Sequence, residues 1–268
     1  MPEILEVESA RELIEEHALD RRVKSVVADD AWYLKRGLTS AALDAALPGR
    51  RFTAARRRGK LLLVDTGPTG RGRTAGPVLG LHLGMSGRVV IDGDAAGDPL
   101  LFTSNADRPE WYRFRVLFAD GGSLALRDPR RLGAVELEPD EDRLGVDALV
   151  LTRADIDRVL SRSRAPLKAV LMDQSRIAGL GNLLVDEVLW RAGLDPARPA
   201  GSLDGDERAR LARTIRTTLR VLGRRGGSHT GDLMPGRVPG GLCPRDGVPL
   251  VRRTVGGRTT YSCPVHQH

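Results

Sequence analysis

Residues 171–196, LMDQSRIAGLGNLLVDEVLWRAGLDP, place two glycines between segments with helical periodicity. Gly179 and Gly181 do not form a dinucleotide-binding fingerprint, because they follow a helical segment rather than a strand and no GxxG comes after them. The stretch therefore predicts two helices that are joined by a glycine turn.

The helical pattern extends on both sides of this turn, beginning at about residue 152. Thr152 and Asp204 are suited to cap helix N-termini, because their side-chain oxygens can accept from the first free N–H groups. Gly223, or the pair at 226–227, is suited to end the last helix. This part of the chain is predicted to be helical throughout.

Residues 22–135 have a different pattern, with short β-rich runs between Gly, Pro and Asp turns. Such spacing is typical of an antiparallel sandwich or barrel. The glycine-rich segment 67–77 lacks phosphate-loop spacing and a following helix, so we interpret it as a hairpin connection. A further helix is predicted from Pro2 to about Ala18, with Glu3 in its first turn.

Together these patterns predict an α+β multidomain fold. In chain order we expect an N-terminal β-sandwich domain with its helix at 1–135, a linker at 136–150, a helical domain at 151–227, and a linker with a C-terminal zinc-ribbon-like hairpin finger at 228–268.

The composition indicates where the protein acts and on what. A net charge of +7 and a pI of about 10.1 favour a polyanionic partner, most often nucleic acid. Two cysteines cannot form a disulfide framework, and no apolar run or signal peptide is apparent, so we expect a cytoplasmic protein with no membrane association. Only four of the 42 basic residues are lysines, namely Lys24, Lys35, Lys60 and Lys168.

The N-terminal sequence MPE offers a nucleophile if the initiator methionine is removed. Pro2 would then carry a free secondary amine, and an α-amino group has a pKa of about 7.7–8.0, against about 10.4 for lysine. Such an amine attacks carbonyl-type carbons and forms a positively charged iminium, and Glu3 beside it can transfer protons. The alternative is an ordinary helix start.

Six sequence blocks occur in an order that resembles the formamidopyrimidine-DNA glycosylase/endonuclease VIII family. They are MPEILEVE at the N-terminus, RRGKLLLVD (57–65), LHLGMSG (81–87), RDPRRLGAVE (127–136), the stretch at 171–196, and the terminal ribbon. The resemblance implies a β-sandwich, a helix–two-turn–helix domain and a finger with or without zinc, in agreement with the order predicted above.

The resemblance also implies catalytic roles for four residues. Pro2 would attack C1′ of the damaged nucleotide and form a Schiff base, and Glu3 would manage the protons. Lys60 would contact phosphate and assist elimination. Arg258, at the tip of the ribbon, would grip the phosphates that flank the lesion and take part in δ-elimination.

Further residues match the family's DNA contacts. Three of them, Met85, Arg130 and Leu132, would fill the void that the everted base leaves, although Leu132 stands where the formamidopyrimidine branch usually has phenylalanine. The others expected at the DNA are Glu6, His82, Trp111, Lys168 and Asn182, of which Lys168 and Asn182 would contact phosphate.

The terminal ribbon holds a possible metal site. Cys243, Cys263 and His266 suit a structural Zn²⁺ ion, and Asp246 stands where a fourth ligand is expected. His268 is the alternative fourth ligand, and a metal-free hairpin held by packing is the alternative to zinc.

These features predict a monomeric, bifunctional DNA glycosylase/AP lyase of base-excision repair that works at the nucleoid. Its partner would be double-stranded DNA with a damaged base or abasic site, cleaved by β,δ-elimination. Alternatives are a non-catalytic damaged-DNA-binding protein and a zinc-ribbon protein that acts on RNA. The segment 226–243 is shorter than the loop that closes over oxidised purines in relatives, so oxidised pyrimidines and bulky adducts stay open beside formamidopyrimidines and 8-oxoguanine.

Overall fold

A computed structural model describes residues 2–68 and 75–268. The chain divides into two compact units. The first contains Pro2 and Glu6–Glu141, and the second contains Glu3–Leu5 and Asp142–His268. Part of the predicted hairpin connection at 67–77, and Met1, lie outside the described residues.

The first unit is an antiparallel sandwich, as predicted. Its strands are β1 Val23–Val27, β2 Arg51–Arg58, β3 Leu61–Gly67, β4 Leu79–His82, β5 Arg88–Ile91, β6 Asp94–Gly97, β7 Tyr112–Phe118, β8 Ser123–Arg127 and β9 Ala134–Leu137. They form a four-stranded sheet in the order β2-β3-β4-β9 and a five-stranded sheet in the order β1-β7-β8-β5-β6. One apolar core takes side chains from both sheets, and Phe52 meets Phe118 edge to face at 5.7 Å between ring centroids.

Two helices belong to this N-terminal region. Helix α1 spans Ile4–His17 and buries Val7, Ala10 and Ile14 in the sandwich core. Pro2 and Glu3 therefore precede the helix instead of forming its first turn as predicted, because the Glu3 side chain is bound elsewhere. Helix α2, Ser40–Ala46, was not predicted, and its N-cap is Thr39.

The second unit is mainly helical and ends in a hairpin. Its elements are β10 Val146–Asp147, α3 Arg153–Leu160, α4 Leu167–Met172, β11 Ile177–Ala178, α5 Asn182–Ala192, α6 Gly205–Arg224, β12 Val251–Val255 and β13 Arg258–Ser262. Thr152 and Asp204 cap α3 and α6 through capping boxes, as predicted. Gly223 lies inside α6, whereas Gly226 and Gly227 follow its end with positive φ angles of 99° and 129°.

The border between the units falls between Glu141 and Asp142, inside the predicted linker at 136–150. The first residues of that linker belong to β9, because Glu136 and Leu137 pair with β4. Among the described helices, none is both long and apolar enough to span a membrane.

Candidate functional site

In the first unit, one buried carboxylate fixes the two turns that carry the predicted void-filling residues. Asp128 is fully buried. Its Oδ2 accepts hydrogen bonds from the backbone N–H groups of Leu132 (2.8 Å) and Gly133 (2.7 Å), and its Oδ1 accepts from the Ser86 hydroxyl. Because Ser86 follows Met85, the same carboxylate holds both turns.

The two turns also touch through their backbones. Gly84 has a φ of +59°, and a Cβ atom there would lie 2.4 Å from the carbonyl carbon of Leu132, so only glycine allows this approach. Met85 is half-buried, Arg130 is exposed, and Leu132 has 49% of its surface exposed. The structure therefore brings the turns of Met85, Arg130 and Leu132 together and leaves the three side chains accessible.

Lys60 lies in the two-residue turn between β2 and β3. Gly59 takes a φ of +59°, which the tight turn requires, and Arg58 pairs with Leu61 across it. Arg57 donates from Nη1 to the Gly59 carbonyl (3.0 Å) and from Nε to Glu8 on α1 (2.7 Å). The turn that presents Lys60 is thus anchored to α1.

Three other predicted residues of this unit have defined surroundings. Glu6 is buried in the first turn of α1. The Nδ1 atom of His82 accepts from the N–H of Gly84 (3.0 Å), which places this histidine beside the Met85 turn. The guanidinium groups of Arg108 and Arg127 lie over the ring of Trp111, at 5.2 and 4.8 Å from its centroid. A direct contact of these residues with DNA stays a prediction.

Glu3 lies at the N-terminus of α5 in the second unit. Its carboxylate is fully buried and accepts three backbone hydrogen bonds, from Gly181 (2.8 Å), Leu183 (2.8 Å) and Leu184 (3.2 Å). The first N–H groups of a helix have no partner within the helix and carry a partial positive charge, so a carboxylate is favoured there. The orientation of Glu3 is fixed by the helix, and buried Pro2 precedes it in the chain.

The glycine turn at 179–181 makes this arrangement possible. A Cβ atom at Gly181 would lie 2.3 Å from the Glu3 carboxyl carbon, and one at Gly179 would lie 2.4 Å from the Ile4 side chain. The backbone N–H groups of Gly181, Leu183 and Leu184 are therefore occupied by Glu3. Asn182 remains: its Oδ1 is buried and has no hydrogen-bond partner among the described residues.

Lys168 is fully buried, which sequence reasoning did not anticipate. Its ammonium group donates to Asp186 Oδ1 on α5 (2.6 Å), to the Thr260 hydroxyl (2.8 Å) and to the Thr259 carbonyl (3.2 Å). The other oxygen of Asp186 accepts from Arg237 (2.8 Å). In this structure Lys168 connects α4, α5 and β13, and a contact with phosphate stays a prediction that requires these bonds to rearrange.

Arg258 begins strand β13 at the tip of the terminal hairpin and is exposed. The turn before it consists of Gly256 and Gly257, with φ angles of 57° and 73°. A Cβ atom at Gly256 would lie 2.8 Å from the Cβ of Ala169, so the tip packs closely on α4, one residue from Lys168. The hairpin therefore presents Arg258 on a rigid turn.

The four predicted metal ligands come together at the base of this hairpin. The ligand atoms of Cys243, Asp246, Cys263 and His266 all lie within 4.8 Å of one another. Contacts with Cys263, His266 and Cys243 lower the pKa of Asp246 to about 2, and burial together with the Asp246 contact raises the pKa of the Cys263 thiol to about 11. A metal ion at this position would have to displace the thiol proton.

Trp190 on α5 orients two of these ligands. Its indole N–H lies 3.3 Å from Cys243 Sγ, and its backbone carbonyl lies 3.0 Å from His266 Nε2. A proton on Nε2 would be donated to that carbonyl and would leave the Nδ1 lone pair directed at the cluster, as is usual for metal-binding histidines. The donor set and its surroundings thus fit a tetrahedral zinc site.

Comparison with known proteins identifies the family. The model of the formamidopyrimidine-DNA glycosylase N-terminal domain matches residues 1–135, and that of the formamidopyrimidine-DNA glycosylase H2TH domain matches residues 144–232. The chain belongs to the formamidopyrimidine-DNA glycosylase family. It is therefore a DNA glycosylase of base-excision repair.

Individual relatives match this glycosylase along its whole length. The formamidopyrimidine-DNA glycosylase of Paracoccus denitrificans is 34% identical, and the match covers 100% of both chains. That of Thermus thermophilus is 33% identical, and the match covers 100% of this chain and 98% of the relative. The Lactococcus lactis Fpg bound to DNA with an abasic site has a TM-score of 0.80, 26% identity and 99% coverage of both chains. The same protein bound to DNA that contains FAPY-dG has a TM-score of 0.81 and the same identity and coverage.

Sequence reasoning missed two acids that organise the glycosylase's site residues. Asp128 precedes the turn RRLG, and an aspartate before a turn often accepts backbone N–H groups from it. Asp186 interrupts the apolar run LLV-DE-VLW of a buried helix, where an acid needs a partner. Both signals were present in the sequence, but neither carboxylate belongs to the motifs expected to touch DNA.

Replacing Asp128 by asparagine should loosen both turns. The amide nitrogen of Asn cannot accept a hydrogen bond, so one set of buried donors loses its partner at a cost of about 1–3 kcal/mol in the free energy of unfolding. Excision of a damaged base should decrease in parallel. Urea unfolding and an excision assay measure the two effects. The control is Asp107→Asn, at an exposed aspartate that accepts a hydrogen bond from the Tyr112 hydroxyl. It should change the free energy of unfolding by less than about 0.5 kcal/mol. Equal losses of stability and excision in both variants would contradict the role of Asp128 in holding the turns.

Replacing Gly181 by alanine should displace Glu3 without unfolding the protein. The φ of Gly181 is −125°, which alanine adopts readily, and the closest clash of its Cβ is with the Glu3 carboxylate. We expect excision to slow by about tenfold or more, which corresponds to about 1.4 kcal/mol in the barrier. Gly223→Ala is the control: its Cβ would meet only Leu5 at 3.6 Å, and alanine within α6 should stabilise the helix and leave excision unchanged. Full activity of Gly181→Ala would show that the position of Glu3 is unimportant.

Proposed function

We propose that the glycosylase removes damaged bases through the amine of Pro2 and then cleaves the abasic strand as a lyase. The observation that carries the proposal is the clamped carboxylate of Glu3, which follows Pro2 directly and has a fixed orientation at the start of α5. A buried proline and a carboxylate in adjacent positions supply a nucleophile and a proton carrier.

The proposed reaction begins at the sugar. The Pro2 nitrogen forms a bond with C1′ while the bond from C1′ to the base breaks, and the base departs with a proton. The N–H proton of the amine passes to the Glu3 carboxylate and from there to the ring oxygen as the sugar opens, which gives an iminium between Pro2 and C1′. The proton on the departing base comes from water. Loss of a proton from C2′ then breaks the C3′–O bond, and a second elimination breaks the C5′–O bond.

The elements of the first unit support extrusion of the damaged nucleotide. Removing a nucleotide from the stack leaves a void and unpairs the opposite base. Met85 and Leu132 can fill the void with apolar surface, and Arg130 can face the orphaned base. Their turns are held by Asp128, so little ordering is needed when DNA binds.

The substrate class that we favour is oxidised purine, including formamidopyrimidines. The blocks LHLGMSG and DPRRLG support this choice, and related structures hold DNA with FAPY-dG and with carbocyclic 8-oxo-G. A related structure also holds an oxidised pyrimidine, so a panel of duplexes with each lesion measures the preference. We also propose that the protein acts as a monomer in the cytoplasm, at the nucleoid.

We propose that the residues at the base of the hairpin hold a structural Zn²⁺ ion. Cys243, Asp246, Cys263 and His266 would be its ligands, and the ion would join the two ends of the hairpin without taking part in the chemistry. His268, the alternative ligand, donates its N–H to the Gly193 carbonyl (3.3 Å) and accepts through its own carbonyl from Asp195 (3.0 Å). Asp246 is therefore the better fourth ligand.

Borohydride reduction tests the proposed covalent step. With a duplex that contains an abasic site, the mature protein should give a trapped adduct that Pro2→Gly reduces strongly, because glycine leaves a primary amine that is a poorer iminium former. Protein that retains Met1 should give none, because its amine is then not on Pro2. Absence of an adduct with fully processed protein would refute the lyase proposal, and Leu5→Val serves as a control that leaves the amine intact.

Metal content tests the zinc proposal. Purified protein should contain about one Zn²⁺ per chain, and Cys263→Ser should lose it because a hydroxyl is a much weaker zinc ligand than a thiolate. The variant should also lose affinity for abasic-site DNA while its sandwich unit stays folded. His268→Ala is the matched control and should keep the ion; metal-free wild type with full DNA affinity would favour a hairpin held by packing.

A further inference from the structure

Helix α6 carries a row of four arginines on one face. Arg213, Arg216, Arg220 and Arg224 follow the spacing i, i+3, i+7, i+11, so they lie within about 80° of one another around the helix. We call these four residues the arginine row. At about 1.5 Å per residue it is about 16 Å long.

The charges of the arginine row are unpaired. All four side chains are exposed, and within the described ranges none has a hydrogen bond or an ion pair. The arginines at the start of α6 differ: Arg208 donates to the Leu203 carbonyl and Arg210 to that of Ala192, both at 2.9 Å. From residue 208 to 231 the sequence contains no Asp or Glu, so no acid on the helix neutralises the row.

The row faces away from the elements that carry the site residues of this unit. The opposite side of α6 packs into the helical core through Leu211, Ile215 and Leu222. The hairpin packs on α5 through β13, and its Gly256 approaches Ala169 of α4. A phosphate on the row would therefore bind at a place separate from Glu3 and Arg258.

The surroundings of the row favour phosphate over a peptide. Three of its residues, Arg213, Arg216 and Arg220, line a cavity of about 530 Å³ together with Leu149, Thr217 and Leu219. Leu219 is buried, which leaves Leu149 as the exposed apolar residue of the lining, whereas peptide recognition relies on apolar anchors. Guanidinium groups bind phosphate through two parallel hydrogen bonds, and a DNA strand offers a phosphate about every 3.4 Å along its axis.

We propose that the arginine row binds the phosphate backbone of a second segment of duplex DNA while the lesion site is occupied. The inference rests on the proposed action on DNA and extends it to a second contact. Such a contact is electrostatic and independent of sequence, and it would let the glycosylase move between neighbouring DNA segments without leaving DNA altogether.

The test uses protein whose lesion site is already filled. Borohydride-trapped complex with a short abasic-site duplex of about 15 base pairs is titrated against a second, fluorescent, undamaged duplex at several KCl concentrations. Wild type should bind the second duplex, and Arg213→Gln/Arg216→Gln/Arg220→Gln should bind it about tenfold or more weakly at about 0.1 M salt. The slope of log affinity against log salt should decrease by about 2.7, which is 0.9 for each of three lost phosphate contacts.

The control variant Arg153→Gln/Arg158→Gln/Arg162→Gln removes the same charge from α3 and the turn that follows it. Arg153 and Arg158 already pair with Asp157 and Asp155. It should bind the second duplex like wild type. The proposal would be overturned if the trapped wild type did not bind a second duplex, or if both variants lost the same affinity for it. A parallel loss of affinity for the short abasic-site duplex in the arginine-row variant would also overturn it.

Failure of the Schiff-base proposal would be separately visible, because no trapped complex would form. The same titration would then be made with the lesion site saturated by unlabelled short duplex. Comparison of the two variants would again show whether the arginine row binds the second duplex. Excision on the short duplex should be unchanged, within about twofold, in the Arg213→Gln/Arg216→Gln/Arg220→Gln variant.

Discussion

The carboxylate of Glu3 at the start of α5 is the interaction on which the functional arrangement depends. Three backbone N–H groups hold it, and Gly181 is the residue that leaves room for it. The segment Glu3–Leu5 consequently belongs to the helical unit, although most of α1 packs in the sandwich. Pro2 has little conformational freedom, because the residue after it is bound at every carboxylate oxygen. The amine that we propose at Pro2 needs such a constraint, since chain termini are otherwise poorly ordered.

Buried acids have a corresponding role elsewhere in the molecule. Asp128 holds the turns of Met85 and Leu132, and Asp186 holds Lys168 together with Arg237. Each carboxylate has both oxygens engaged, which offsets the cost of burying its charge. The four arginines of the arginine row, by contrast, have no partner among the described residues.

The sequence predicted the architecture well because its signals are local. Turn residues and β-rich runs indicated most strands of the sandwich, and capping residues such as Thr152 and Asp204 indicated helix starts. Helix α2 and the position of Glu3 outside α1 were not predicted. The position of Glu3 depends on Gly181, about 180 residues away in the sequence. A local sequence pattern cannot indicate such a distant contact. The ligand cluster at the hairpin could be predicted because its four residues lie close together in the sequence. The burial of Lys168 could not, because its partners on β13 are about 90 residues away.

The presence of a lysine rather than an arginine at position 168 has a physical explanation. An ammonium group is compact and directs three hydrogens tetrahedrally, and here the three acceptors come from an aspartate, a hydroxyl and a carbonyl on two separate elements. A guanidinium group is planar and larger, with five hydrogens to satisfy, so it would not fit a fully buried position with three acceptors. Burial lowers the pKa of Lys168, while the charge of Asp186 opposes that effect. In a chain that otherwise uses arginine almost throughout, lysine persists at this position because the geometry of the acceptors requires it.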